Sequence, residues 1–113
     1  MASTGLNGPY ALTTDRIDVA ITKTSPGAYA LGVTTDGTFY VSYVGRSDTD
    51  VNARLKNHVG SYKHFKYGYF SSPKAAFEKE CNLYHDFDNL DNDVHPARPA
   101  GSNWTCPRCR TFG

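Results

Sequence analysis

Long hydrophobic runs are missing from this chain. No apolar stretch approaches the ~20 residues that a membrane-spanning helix needs, and the N-terminus lacks the apolar core of a signal peptide. Neither a membrane protein nor an exported one is expected. Cysteine is scarce as well: there are three, an odd number that makes no disulfide framework. Without an export signal they fit reduced thiols and a cytoplasmic location. Net charge is only +1, so the molecule as a whole is no magnet for polyanions. At 113 residues the chain makes one domain with a modest core and has no room for a separate specificity domain.

Aromatic residues are what it has in quantity. Eight Tyr, six Phe and one Trp suit a small α+β fold whose sheet needs large side chains under its helices. The charge is also unevenly spread. Between Arg46 and Lys74 there are six Lys/Arg against two Asp, whereas Asp86, Asp88, Asp91 and Asp93 share a stretch without a cation. A basic middle and an acidic loop facing apart fit a nucleic-acid-binding face. An ordinary solvated surface would look the same by count.

Along the chain, residues 1–15 are small, polar and without periodicity, and read as a mobile arm. Asp18 to Thr22 reads as a short strand or lead-in, so 1–24 forms a first segment. Asp36-Gly37 lies between two β-rich runs, which is a hairpin signal because type I′ turns need positive φ at both central residues. Simple alternation along the second strand puts Phe39, Val41 and Tyr43 on one face and Tyr40, Ser42 and Val44 on the other. Ser47-Asp48 can cap a helix with Val51, Leu55 and Val59 four apart, on which Arg54 and His58 project together. Tyr67 to Phe70 reads as a third strand, preceded by Lys63, His64 and Lys66 among aromatics. Cations mixed with aromatics suit a surface that meets phosphates and bases. Ser72-Pro73 then opens a helix to about His85 or Phe87. Its wheel puts Ala76, Glu80, Leu83, Tyr84 and Phe87 on one face. A lone carboxylate among apolar neighbours needs a partner, and a divalent cation would be one.

Cys81 and His85 are spaced i, i+4 on that helix, and Cys106-Pro107-Arg108-Cys109 is a thiol knuckle. Together they complete the four ligands of a tetrahedral Cys3His zinc site, with His95 competing against His85 for the fourth place. A redox pair is disfavoured because the knuckle lacks a helix N-terminal setting. The zinc would pin the tail, 89–113, to the helix, with Trp104 packed over it.

Gly27-Ala28-Tyr29, Tyr43-Val44-Gly45, Arg54 on the next helix and Glu80 on a later one form an ordered set that resembles the GIY-YIG nuclease superfamily. The resemblance covers roughly residues 26–88, so 25–88 would be the nuclease domain. It implies an α+β fold with a small, mainly antiparallel three-stranded sheet flanked by helices. It also implies a metal-dependent endonuclease acting on DNA, with RNA left open. Tyr29 and Tyr43 would lie together, one of them deprotonating or orienting the attacking water, and Arg54 would be catalytic. Glu80 would hold one Mg2+ or Mn2+, and His58 would bond a tyrosine or the phosphate. Arg46, Lys56, Lys63 and Lys66 would contact nucleic acid. Specificity would come from a homodimer or a protein partner. The alternative is a non-catalytic, zinc-stabilised nucleic-acid-binding module.

Overall fold

Asp36 and Gly37 both take positive φ, 52° and 79°, and Thr35 pairs with Thr38 across them. The hairpin turn is thus the one its residues favour. The structure, a computed structural model, describes residues 4–87, 90–92, 95–96 and 101–108; Cys109 lies outside them. Its elements are β1 (Asn7–Ala11), α1 (Thr14–Ala20), β2 (Gly27–Thr35), β3 (Thr38–Ser47), α2 (Val51–Lys56), β4 (His64–Tyr69) and α3 (Pro73–Asp86).

The α+β class is as expected, but the sheet has four antiparallel strands, ordered β1-β4-β2-β3, and not three. The extra strand comes from the segment read as a mobile arm. Asn7, Tyr10 and Ala11 pair with Tyr67, Phe65 and His64 of β4. The Asp18–Thr22 stretch is not a strand either. Thr13 caps α1 by accepting from the Arg16 amide, and Ile17 and Ile21, one helical turn apart, are 0% and 2% exposed.

Helices cover both faces of the sheet. On one, Ile17 and Ile21 with Val51 and Leu55 of α2 pack on Tyr29, Leu31, Phe65 and Tyr67. Tyr67 Oη donates to the Ala20 carbonyl, and Tyr69 Oη accepts from the Thr22 amide, which ties the end of α1 to β4. On the other face, Leu83 of α3 packs on Ala30 and Val44. The cap of α3 is Ser72 with Pro73 behind it, as its sequence signal implies. The cap of α2 is Asp50, whose carboxylate accepts from the Ala53 amide, and Val59 falls outside that helix, 40% exposed.

A bulge decides where Tyr43 points. Leu31 pairs with Tyr43 and Gly32 with Val41, so Ser42 has no partner across β2. The extra residue reverses the alternation. Phe39, Val41 and Val44 therefore share the α3 face, while Tyr43 joins Tyr29 on the α2 face. The expectation that Tyr43 lies beside Phe39 and Val41 is corrected by that one residue.

Candidate active site and thiol–histidine cluster

A cleft of about 490 Å3 opens beside β3, an edge strand of the sheet. Tyr29, Tyr43, Arg46, Arg54 and Glu80 line it together with Ser47, Asp48, Thr49, Asn92, His95 and Pro96. The two tyrosines and Arg54 reach it from the α2 face, Glu80 from α3. Gly45 lets the two faces meet. A Cβ at that position would lie 2.5 Å from Tyr29 Cζ and Oη, so only glycine leaves the phenol its place.

Tyr29 is 1% exposed, and its Oη lies 2.9 Å from His58 Nε2. Burial raises the phenol far above its ordinary pKa, and the neighbouring Arg54 guanidinium only partly offsets this. Burial, helped by the Arg54 charge, lowers the His58 pKa. Both groups are thus neutral near pH 7, and with the imidazole proton on Nδ1 the phenol donates to Nε2. The Tyr43 ring lies between those of His58 and Tyr62, tilted against both, at ring-centroid distances of 5.2 and 6.1 Å.

Glu80 is 8% exposed and has a protein partner. Arg46 Nη1 donates to its Oε1 at 2.7 Å, while Arg46 Nε donates to Asp48 at 2.9 Å. The guanidinium also lies over the Phe77 ring, 5.0 Å from its centroid. Burial pushes the Glu80 carboxyl up and Arg46 pulls it back. The partner that a buried carboxylate requires is thus, in this structure, an arginine.

Of the expected nucleic-acid contacts, Arg46 lines the cleft and the three lysines do not. Lys56 is paired with Asp18 of α1 at 2.7 Å. The Lys66 ammonium lies over Phe39, and Lys63 is exposed in the loop before β4. Sequence reasoning missed Asp48 as an arginine partner, having assigned it to a helix cap. It also missed Asn92. That amide accepts from the Val44 N–H at 3.0 Å and donates to the Val44 carbonyl at 2.8 Å, while the Asp91 amide donates to Ser42 O at 2.6 Å. Residues 91–92 thereby satisfy open backbone groups of the β3 edge. Asn92 and Val44 are 48 positions apart, and no local pattern announces such a contact.

Bordering the cleft at His95, the residues Cys81, His95 and Cys106 bring one ligand atom each within 4.8 Å of one another. Two thiols and an imidazole at that separation can hold a zinc ion, whose ligands lie about 2.0–2.3 Å from the metal. Among the described residues His85 is not in this group and His95 takes the place for which His85 was preferred: α3 turns the His85 ring against Tyr84 and His95, and its buried Nε2 has no hydrogen-bond partner among them. His95 Nδ1 lies 2.9 Å from the Pro96 carbonyl, which suits Nε2 as the metal-facing nitrogen. Burial, reinforced by Cys106, raises the Cys81 thiol pKa. The tail is held further by Trp104 against Phe77 and by Arg108, which donates to Asp86 at the end of α3.

No protein-family model matches the chain, and neither does any curated protein or solved structure.

Proposed function

We propose that the chain is a GIY-YIG-type endonuclease that hydrolyses phosphodiester bonds in DNA with the help of one divalent cation. The observation that supports this reading is the convergence of Tyr29, Tyr43, Arg46, Arg54 and Glu80 on one cleft, from both sides of the sheet. Phosphodiester hydrolysis asks for three things: cations for the phosphate oxygens, a positioned water, and a carboxylate for a metal ion. Arg46 and Arg54 bind the phosphate. Tyr43, the more open of the two phenols, orients the water for attack at phosphorus opposite the leaving oxygen. Tyr29 stays protonated and, through His58, holds that wall of the cleft rigid.

Glu80 and Asp48 supply hard carboxylate oxygens, which suit Mg2+ or Mn2+, since such ions keep several waters and take one or two carboxylates plus substrate phosphate. Such an ion, held by these residues, would supply charge neutralisation at the scissile phosphate and the leaving oxygen. Arg46, which donates to Glu80, would be available to a phosphate oxygen once that carboxylate held a metal. The thiol–histidine cluster would hold a structural zinc through Cys81, His95 and Cys106; Cys109, the remaining thiol of the expected set, lies outside the described residues.

The test is incubation of the zinc-loaded protein with Mg2+ or Mn2+ and a pool of duplex, branched and single-stranded DNA, beside Glu80→Ala. Metal-dependent cutting by the wild type, with binding but no cutting by the variant, is expected. Binding without cutting, identical in both proteins, would replace the enzyme with a non-catalytic binding module.

A further inference from the structure

The thiol–histidine cluster and the cleft share a wall. His95 is a member of the cluster and also lines the cleft, and Pro96 beside it does the same. Three residues before His95, Asn92 lines the same cleft and sits on the open edge of β3 through its two bonds to Val44. Cys81 follows Glu80 directly on α3. The cluster therefore joins the helix that carries the cleft carboxylate to the segment that faces it.

We infer that a zinc ion on Cys81, His95 and Cys106 is a clasp that keeps Asn92 on the β3 edge and so secures the wall of the cleft formed by Asn92, His95 and Pro96. This rests on the zinc reading of the cluster and goes beyond tail anchoring. Among the described residues, Asn92 and Asp91 meet the β3 edge and Tyr62 through hydrogen bonds, each of modest net worth. His95 packs on the Tyr84 ring of α3, and a metal that joins it to the two thiols would make that end of the segment a strong tether. Removing the metal should release the wall while the strands behind it stay paired. Because coupling between two binding events is reciprocal, loss of the Asn92 contacts should also weaken zinc binding.

Two readouts test this on the full chain, with zinc alone as the probe. Zinc affinity is measured by competition with a chromogenic chelator for the wild type and Asn92→Ala, and the Val44 amide is followed by hydrogen exchange with and without zinc. Weaker zinc binding by about fivefold or more in Asn92→Ala is expected. So is faster Val44 exchange on zinc removal, while β2 amides, paired on both sides, stay protected. Equal zinc affinity, unchanged Val44 exchange, or β2 amides lost together with Val44 would each overturn the clasp. Failure to bind zinc at all would overturn the clasp and the zinc reading together. Neither readout uses nucleic acid, so the clasp and the nuclease reading can fail separately.

Discussion

Gly45 and the Tyr29 phenol occupy one small space, and this makes the glycine of Tyr43-Val44-Gly45 a spatial requirement. Gly45→Ala puts a methyl 2.5 Å from Tyr29 Oη. Overpacking of this kind costs about 1–3 kcal/mol, so thermal unfolding should come several degrees lower, and the Tyr29–His58 bond should be lost from the proton NMR spectrum. The Arg46–Glu80 pair is the second residue-scale device. Arg46→Ala strands a buried carboxylate and should cost on the order of 3 kcal/mol. Arg46→Ala with Glu80→Ala should recover much of that in a denaturant double-mutant cycle. His58 gives a pH signature. Its folded pKa lies below the ordinary ~6.5 because of burial and Arg54. Between the two values the unfolded chain binds more protons, so the stability His58 contributes is complete above ~6.5 and is lost as pH falls through the folded pKa. Thermal midpoints from pH 8 to 5 should fall more steeply for the wild type than for His58→Gln.

Elements show what was legible in the sequence and what was not. The Asp36-Gly37 hairpin, the Ser72-Pro73 helix start and the two tripeptides carry their chemistry locally, and their elements form where that chemistry puts them. Tyr43 does not, because its face depends on Ser42 having no partner across β2, which is a property of pairing and not of the strand's own composition. Gly32 marks the place: a Cβ there would lie 1.9 Å from the Tyr40 carbonyl oxygen. Gly32→Ala should therefore disrupt the β2–β3 register, which cross-strand contacts in NMR would reveal as lost or shifted pairing between Leu31 and Tyr43. The first helix was readable in hindsight, since Ile17 and Ile21 repeat at helical spacing behind a Thr13 cap; the polar residues around them hid it. The strand β1 was not readable, because a segment of small residues gains its order only by pairing with β4. The choice of His95 over His85 was equally hidden. Helical spacing favours His85, whereas His95 reaches the thiols from outside the helix, beside Asn92 on the β3 edge, a placement that no local pattern announces.

At the scale of the whole molecule, a net charge of +1 leaves little long-range steering, so affinity for a phosphate backbone has to come from the cleft and its surroundings. Two arginines line the cleft, one of them held by Glu80 and Asp48. Lys56 is occupied by Asp18. Under the proposed nuclease reading, binding should be weak with a shallow salt dependence, unless a second copy or a partner adds cations. Among the described residues no helix is long and apolar enough to cross a membrane. The central claim is that this cleft cleaves phosphodiesters with a metal ion on Glu80. The most direct measurement is the initial rate of DNA cleavage against Mn2+ concentration, for the wild type and Glu80→Ala. A saturable metal dependence in the wild type, with a loss of at least about a hundredfold in the variant, is expected if Glu80 supplies several kcal/mol of transition-state stabilisation through the ion. Equal rates in the two proteins, or a rate indifferent to the metal, would contradict it.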